Sequence, residues 1–239
     1  MESLFGRRQF SMQAMTDFSH LEKRVQDHLK NVYTCLFIAM FAAAGGSFLH
    51  LYLRFMLPSL ITVIGSIGLM LWLAATPHTK QNFTKRMAIL GGFATLTGMS
   101  LGPLMDYVIR LDPSIIPTAF MGTCVIFGSF SLAALFCRSR TFLYLGGALM
   151  SGMMWLFFLS LLNIFLGSQL IFDVTLYLGL LIFCGFVLFD TQLIVEKCRN
   201  GDDDFIWHSV DLFLDFINLF RKLLIILSSK EEKKRSNRN

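Results

Sequence analysis

Seven stretches of mainly apolar residues, each about twenty residues long or longer, alternate with short charged segments along the chain. They are residues 31–53, 55–77, 87–109, 115–137, 142–166, 174–195 and 206–227. A helix needs about 20 such residues to cross the hydrocarbon core of a bilayer. The stretches do not alternate between apolar and polar residues, so helices are expected rather than barrel strands. The pattern predicts an all-α integral membrane protein with a bundle of seven transmembrane helices.

The composition excludes a soluble globular domain and a disordered chain. Hydrophobic residues make up 54% of the 239 residues and charged residues only 15%, whereas about 25% are charged in an average soluble domain. We therefore expect one membrane domain, residues 31–227, between a cytosolic N-terminal segment (1–30) and a basic C-terminal tail (228–239). The N-terminal segment has no apolar stretch before a cleavage site, so no cleavable signal peptide is expected.

The five cysteines are interpreted as small packing residues. They are Cys35, Cys124, Cys137, Cys184 and Cys198. An odd number without CxxC spacing is typical of neither a disulfide framework nor a zinc site. No cofactor is expected.

The distribution of basic residues predicts the orientation. Twelve Lys and Arg residues precede the first stretch or follow the second, fourth and sixth stretches, against two in the remaining loops. Because cytosolic loops are enriched in basic residues, the N-terminus is expected in the cytosol, and a nucleic-acid partner is not expected. The last stretch contradicts this rule, since Arg221 and Lys222 lie within it and a basic tail follows. It either crosses against the rule or is re-entrant with a cytosolic tail.

Ionisable residues inside a membrane are costly and are candidates for function. Four acids qualify: Asp106, Asp190, Asp211 and Asp215. Counted from the expected cytosolic ends of their helices at 1.5 Å per residue, Asp190 lies about 9 Å deep, Asp211 about 7 Å and Asp215 about 13 Å. A hairpin of the last two helices thus brings Asp190 close to either of the other two, and depth alone does not choose between them.

A pair of close carboxylates has two chemical uses. In a low dielectric the two groups share a proton and titrate as a unit, which suits a pH sensor. They also offer oxygen ligands to a cation, although too few for tight Ca²⁺ binding. Weak, transient binding suits conduction. The alternative is structural: the acids bond neighbouring helices or pair with Arg221 or Lys222. Asp106 has the strongest structural interpretation, because it lies near the outer end of its helix.

Other polar residues have structural interpretations as well. Trp207 and His208 are expected at the membrane interface, and His78 flanks a helix end. Gly98 and Gly102 form a GxxxG pattern that favours close helix packing.

Two motifs carry a family resemblance. The sequence GFVLFDTQ at 185–192 and the sequence DLFLDFINLF at 211–220 resemble the transmembrane Bax inhibitor motif family. The segments LAATPH at 73–78, LGP at 101–103 and PSIIPTAFMGT at 113–123 also match. The resemblance covers nearly the whole chain.

The resemblance implies a seven-helix bundle around a central seventh helix, acting as a pH-sensitive calcium leak pathway in the endoplasmic reticulum membrane. It implies Asp190 and Asp215 as the pH sensor and weak Ca²⁺ site. It also implies suppression of Bax-triggered apoptosis, with anti-apoptotic Bcl-2-family proteins and an endoplasmic reticulum stress sensor as partners. The candidate accessory residues are Asp211, Asp106, His78 and Arg221, and the candidate partner contact is Lys230, Lys233, Lys234 and Arg235.

The chain departs from the family in one respect. Bacterial relatives hold the closed state with an arginine on the second helix that pairs with the sixth-helix aspartate. Residues 55–77, the second apolar stretch, contain no arginine. Arg54 lies at the outer end of this stretch, whereas the sixth-helix aspartate is expected near the inner end. His78, Lys85 and Arg86 lie beyond the inner end. A different latch is therefore expected.

Three alternatives to a Ca²⁺ channel remain open on the sequence. One is a non-conducting scaffold that acts on Bcl-2-family proteins through the basic tail. Another is an H⁺/Ca²⁺ antiporter, because a shared proton displaced by a cation fits both mechanisms. The third, an intramembrane aspartyl protease, is disfavoured because neither Asp190 nor Asp215 has a neighbouring glycine, so no enzymatic activity is expected.

Overall fold

The computed structural model describes residues 22–52, 59–137 and 141–237, and these residues are almost entirely helical. Their seven α-helices are α1 (Lys23–Tyr52), α2 (Ser59–Ala75), α3 (Phe83–Leu111), α4 (Ile115–Phe136), α5 (Leu145–Leu166), α6 (Gln169–Arg199) and α7 (Phe205–Ser236). By length and composition α1, α3, α4, α5 and α6 can each cross a membrane, and α2 is a shorter apolar helix. The expectation of an all-α, multi-pass membrane protein is confirmed at this level.

The first helix begins earlier than its apolar stretch. It starts at Lys23, eight residues before residue 31, so the last part of the expected N-terminal segment is helical. Val25, Leu29, Val32 and Leu36 are buried along it, and this spacing of three and four residues forms one apolar face. Residues 1–21, Arg54 and the predicted turn at 138–140 lie outside the described residues.

The seventh helix occupies the centre of the bundle. It packs against α1, α3, α4 and α6, whereas α2 lies on α3 and α5 lies on α6. Leu212, Phe213 and Leu219 are fully buried. Phe213 makes an edge contact with Phe93 of α3. A central seventh helix was expected from the family resemblance.

The central helix runs without interruption from one end of the bundle to the other. Its 32 residues span about 48 Å. At its far end Arg235 donates a hydrogen bond to the Leu111 carbonyl at the end of α3, at 2.6 Å, and Lys233 lies 3.6 Å from Asp173 near the start of α6. At its near end, the loop 200–204 contacts the start of α1 through Arg24. Residues 205–236 therefore do not turn back, and residues 228–236 of the expected tail extend the helix.

Small residues bring α1 and α3 into close contact. A Cβ atom at Gly98 would collide with the backbone carbonyl of Ala43, and one at Gly102 would collide with the ring of His50. The Ser47 hydroxyl donates a hydrogen bond to the Gly98 carbonyl at 2.9 Å. The GxxxG pattern thus packs helices, as the sequence indicated.

Candidate functional site

Asp190 and Asp215 lie at the same level of the bundle. Asp190 is nine residues before the end of α6, and Asp215 is ten residues after the start of α7. At 1.5 Å per residue these positions lie about 14 Å and about 15 Å from the helix ends. Asp211 lies only about 9 Å from the start of α7. Because α6 extends to Arg199, beyond its apolar stretch, the helix ends match Asp190 with Asp215.

The two carboxyl groups share a hydrogen bond. Asp215 is only 5% exposed, and its buried Oδ2 has no hydrogen-bond partner among the described residues. Asp190 is partly buried. A carboxylate has no proton to donate, so a hydrogen bond between two carboxyl groups requires that one of them be protonated. A hydrogen bond between these two carboxyl groups can therefore form only while the pair holds a proton.

Two further charges face the pair. Asp211, one turn before Asp215 on α7, is close enough to interact electrostatically with Asp190 and with Asp215. Lys197 of α6 interacts electrostatically with Asp190 and with Asp211. The site thus contains three carboxyl groups and one ammonium group.

The other candidate acid, Asp106, lies apart from this site. Its carboxylate accepts a hydrogen bond from Arg110 at 2.8 Å, and its side chain is 45% exposed. This exposed pair, one turn apart on α3, agrees with the structural interpretation. Arg221 is partly buried on α7, and the described residues show no ion pair between it and Asp190 or Asp215.

The basic residues at the end of α7 are exposed. The side chains of Lys233, Lys234 and Arg235 are 68%, 55% and 50% exposed, and Lys230 is exposed as well. Lys234 and Arg235 lie near Glu231, at 3.7 Å and 3.6 Å. They form a basic surface at the far end of the bundle, away from the aspartate pair.

An ion cluster that the sequence did not reveal closes the near end of the bundle. Arg86, at the start of α3, is 2% exposed and donates a hydrogen bond to Asp204 Oδ2 at 2.6 Å. Asp204 Oδ1 also accepts the Trp207 backbone N–H at 3.1 Å and so caps α7. His78 Nδ1 lies 3.3 Å from the same oxygen. This cluster, Arg86 with Asp204 and His78, joins the loop 76–82 and α3 to the start of α7.

The cluster contacts α7 at the cap of its first turn and does not include Asp190. The sequence signal was weak: the acidic run Asp202–Asp204 and the basic residues near 80–86 each appear as solvated loops. Only their contact, more than a hundred residues apart in sequence, makes them a pair.

His208 is buried inside the bundle rather than exposed as an interface anchor, contrary to expectation. Its side chain is fully buried, and its Nδ1 lies 2.9 Å from Nε2 of His28, which is also buried. His28 follows Val25 at helical spacing on the buried face of α1, a signal that would have indicated an inward position. The interface prediction failed because it used only the local position of His208 near a helix end.

Asp202, in the loop between α6 and α7, is an acidic neighbour of this histidine. Partial burial acts to raise its pKa, but the hydrogen bond from the Asp204 backbone N–H and the nearby His208 and Lys197 hold the pKa of Asp202 below its ordinary value. Asp202 therefore stays ionised at the surface of the bundle.

Comparisons with known proteins agree with the motifs. The profile of the family described as "Inhibitor of apoptosis-promoting Bax1" matches residues 25–232. Probable Bax inhibitor 1 from Paralichthys olivaceus is 52% identical over 228 residues, which are 95% of this chain and 96% of that protein. Bax inhibitor 1 from Bos taurus is 51% identical over 95% of this chain and 97% of that protein. Bax inhibitor 1 from Homo sapiens is 50% identical over 95% and 96%.

Proposed function

We propose, because the chain belongs to the Bax inhibitor family, that it is a pH-sensitive Ca²⁺ leak channel of the endoplasmic reticulum membrane that suppresses apoptosis and stress signalling. The observation that carries the proposal is the hydrogen-bonded pair of Asp190 and Asp215, buried between α6 and the central helix. An apolar bundle gains little stability from such a pair, so a functional role accounts for it better.

The shared proton links pH to the contact between two helices. With one proton, the carboxyl groups bond α6 to α7; without it, two negative charges face each other and repel. Asp211 adds a third negative charge when it is ionised, and Lys197 offsets part of this charge. The protonation state of the group thus changes the balance between a joined and a parted arrangement of α6 and α7.

The ion itself is proposed to bind weakly and transiently. Asp190 and Asp215 supply at most four carboxylate oxygens, and Ca²⁺ takes six to eight oxygen ligands. Water molecules would complete the shell, and loose binding allows the ion to leave. In this proposal Ca²⁺ is the transported ion and not a resident cofactor.

All seven helices are proposed to cross the membrane, with the N-terminus in the cytosol. The support is the charge distribution along the loops and the uninterrupted course of α7 through the bundle. The exposed tail residues then face the lumen, against the usual distribution of basic residues.

The test is Ca²⁺ flux into liposomes that contain the purified protein and a trapped calcium dye, recorded from about pH 5.5 to 8, the range that a shared-proton pair is expected to cover. Asp190→Asn and Asp215→Asn each remove one titrating member, so the pH dependence of flux should flatten in both. Asp211→Asn should retain a pH-dependent flux with a shifted midpoint, because its charge acts on the pair from outside.

Asp173→Asn is the matched control for Asp190→Asn. Asp173 lies on the same helix, where it accepts a hydrogen bond from Gln169 at 3.1 Å, far from the pair. The Ca²⁺ flux through the Asp173→Asn protein should equal that of the wild type at every pH. Folded wild-type protein that gives no flux above empty liposomes contradicts the channel. Flux that always moves protons in a fixed ratio to Ca²⁺ indicates an antiporter instead.

A scaffold role is a second proposal, supported by the names of the relatives and by the exposed basic surface at the end of α7. It requires this surface to face the cytosol and is therefore an alternative to the seven crossings proposed above. Neutralising Lys230, Lys233, Lys234 and Arg235 together to Gln should weaken binding of an anti-apoptotic Bcl-2-family protein if this surface is the contact. If this variant no longer protects cells from apoptosis but still conducts Ca²⁺ in liposomes, the scaffold is favoured over the channel.

A further inference from the structure

Three side chains that commonly bind transition metals meet at the near end of the bundle. His28 comes from α1, Cys198 from the last turn of α6 and Asp203 from the following loop, and one ligand atom of each lies within 4.8 Å of the others. We infer that His28, Cys198 and Asp203 form a binding site for a divalent transition metal ion, with Zn²⁺ as the best fit. The site is distinct from the aspartate pair and does not depend on the proposed Ca²⁺ pathway.

The spacing is close to that of a metal site. Ligand atoms around tetrahedral Zn²⁺ lie about 3.3–3.8 Å apart, since the bonds are 2.0–2.3 Å long. The Cys198 Sγ and Asp203 Oδ1 atoms are 4.0 Å apart. Contraction by at most about 1.5 Å brings the three ligands onto one ion. Asp203 is exposed and lies in a loop, so part of this movement can come from its side chain.

The histidine has the second contact that metal-bound histidines usually have. Nε2 of His28 lies 2.9 Å from Nδ1 of His208, and a hydrogen bond at one ring nitrogen orients the other toward a metal. His208 is fully buried, yet its Nε2 has no hydrogen-bond partner, although Asp202 Oδ2 lies 3.5 Å away. The Asp202 carboxylate is therefore the acceptor nearest to this nitrogen, and the contact between His28 and His208 fixes the orientation of the His28 ring.

The ligand types select the class of metal. Imidazole and thiolate ligands suit Zn²⁺ and related transition metals, whereas Ca²⁺ and Mg²⁺ prefer a shell of oxygen atoms. Three protein ligands leave the fourth tetrahedral position to a water molecule. The exposed Asp203, whose side chain is 57% accessible, gives the ion a route to the site from solvent. Cys198 and His28 are buried beneath it.

Arg24 is the group with which a metal ion would compete. Its Nη2 donates to both oxygens of Asp203, each at 2.8 Å. A carboxylate has about four lone-pair sites, so Asp203 can bind a metal and retain one of these hydrogen bonds. The positive charge of Arg24 weakens binding, and its removal should strengthen it. Arg24→Gln is therefore expected to raise the affinity for Zn²⁺.

A bound ion would join three separate segments. Its ligands tie the start of α1 to the end of α6 and to the loop that leads into α7. The same loop carries Asp204, which binds Arg86. Metal binding should therefore stabilise the near end of the bundle against unfolding.

The first test uses Co²⁺ as a spectroscopic probe of the full-length protein in detergent under reducing conditions. Co²⁺ bound by a thiolate gives a charge-transfer absorption band, and a tetrahedral site gives strong d–d bands. The wild type should show both, and Zn²⁺ added in small excess should abolish them. A wild-type protein that shows no thiolate band with Co²⁺ overturns the proposal.

Matched variants assign the ligands. Cys198→Ser should lose the thiolate band, whereas Cys184→Ser, a buried cysteine of the same helix, should keep it. His28→Gln should lower the affinity for Zn²⁺ by at least about tenfold, whereas His50→Gln on the same helix should not. Asp203 lies in an exposed loop, so Asp203→Asn should lower the affinity for Zn²⁺ without disturbing the core. A band that persists in Cys198→Ser, or affinities that are equal in wild type, His28→Gln and Asp203→Asn, contradicts the assignment.

Discussion

Buried charged residues distinguish this bundle from an ordinary apolar core. Arg86 is 2% exposed, and within the part of the chain that the structure describes its Nε has no hydrogen-bond partner. Its bond to Asp204 is therefore the main compensation for burying the guanidinium. The position of Arg86 at the start of α3 places this bond where the loop between α6 and α7 returns to the bundle. Arg86 therefore helps to hold the entry of the central helix, together with His78 and Arg24.

Replacement of Arg86 by Gln should destabilise the protein. The charge-assisted bond to Asp204 is lost, and the capping carboxylate of α7 loses its counter-charge, so the free energy of unfolding should fall by about 1.5–3 kcal/mol. Thermal unfolding of the purified protein measures the change. Arg110→Gln is the control, because its pair with Asp106 is exposed and contributes less than about 1 kcal/mol. Equal effects of the two substitutions would show that the Arg86–Asp204 pair stabilises the protein no more than an exposed ion pair does.

Lys222 places a positive charge on the central helix seven residues beyond Asp215. Its Nζ lies 6.0 Å from the centre of the Phe183 ring, and the side chain packs against Gly179. A cation that passes along this face meets repulsion. In the liposome assay Lys222→Met should therefore raise Ca²⁺ flux severalfold at every pH without changing its pH dependence. Lys230→Met, at an exposed position of the same helix, should not. Unchanged flux in Lys222→Met would place the ion path elsewhere.

At the scale of helices, contacts through small residues decide how closely neighbours approach. The backbones of α1 and α3 meet at Gly98, where the Ala43 carbonyl occupies the space that a side chain would need. Gly91 also lies on α3, but a Cβ atom added there would have no neighbouring segment within 4 Å. The two glycines therefore have different roles on one helix.

Gly98→Ala should separate α1 from α3 and reduce stability by about 1–3 kcal/mol, the usual cost of overpacking. Gly91→Ala should be neutral or slightly stabilising, because alanine favours the helix and meets no obstacle. Thermal unfolding in the same detergent compares them. A Gly98→Ala protein as stable as Gly91→Ala would show that the close approach does not contribute to stability.

At the scale of the whole molecule, the uninterrupted central helix determines where the two ends of the chain lie. Its first turn is capped by Asp204 of the loop 200–204, which also contacts the start of α1 through Arg24, and its last turn contacts the end of α3 and the start of α6. The start of α1 and the end of α7 therefore lie at opposite ends of the bundle. This arrangement separates the ion cluster at Asp204 from the basic surface at Lys233.

Epitope tags at the two termini should consequently lie on opposite sides of the membrane. In sealed microsomes, added protease should remove an N-terminal tag and leave a C-terminal tag intact until detergent is added. A tag inserted at residues 138–140, between α4 and α5, should behave like the N-terminal one and serves as the control. Removal of both terminal tags without detergent would mean that the two termini lie on the same side and that α7 does not span the membrane.

The sequence by itself determined the all-α membrane class and the acids worth examining. Stretches of about twenty apolar residues have few alternatives to a membrane helix, and an acid within such a stretch stands out without any knowledge of its neighbours. The choice of Asp215 over Asp211 required more. It came from the resemblance, and the position at which α6 ends agrees with it. The residue at which α6 ends is a local property of the sequence. It places Asp190 level with Asp215 only because α6 and α7 lie side by side.

Only the tertiary structure decided which distant side chains meet. His208, expected at the membrane interface, is buried against His28; Cys198, interpreted as a packing residue, lies beside His28 and Asp203. Arg86 and Asp204 both appeared to belong to solvated loops. Periodicity and composition describe the environment along one segment, whereas the contacts of His28 and of Arg86 join segments more than a hundred residues apart. Their partners are set by how the helices pack around α7, and no local pattern contains that information.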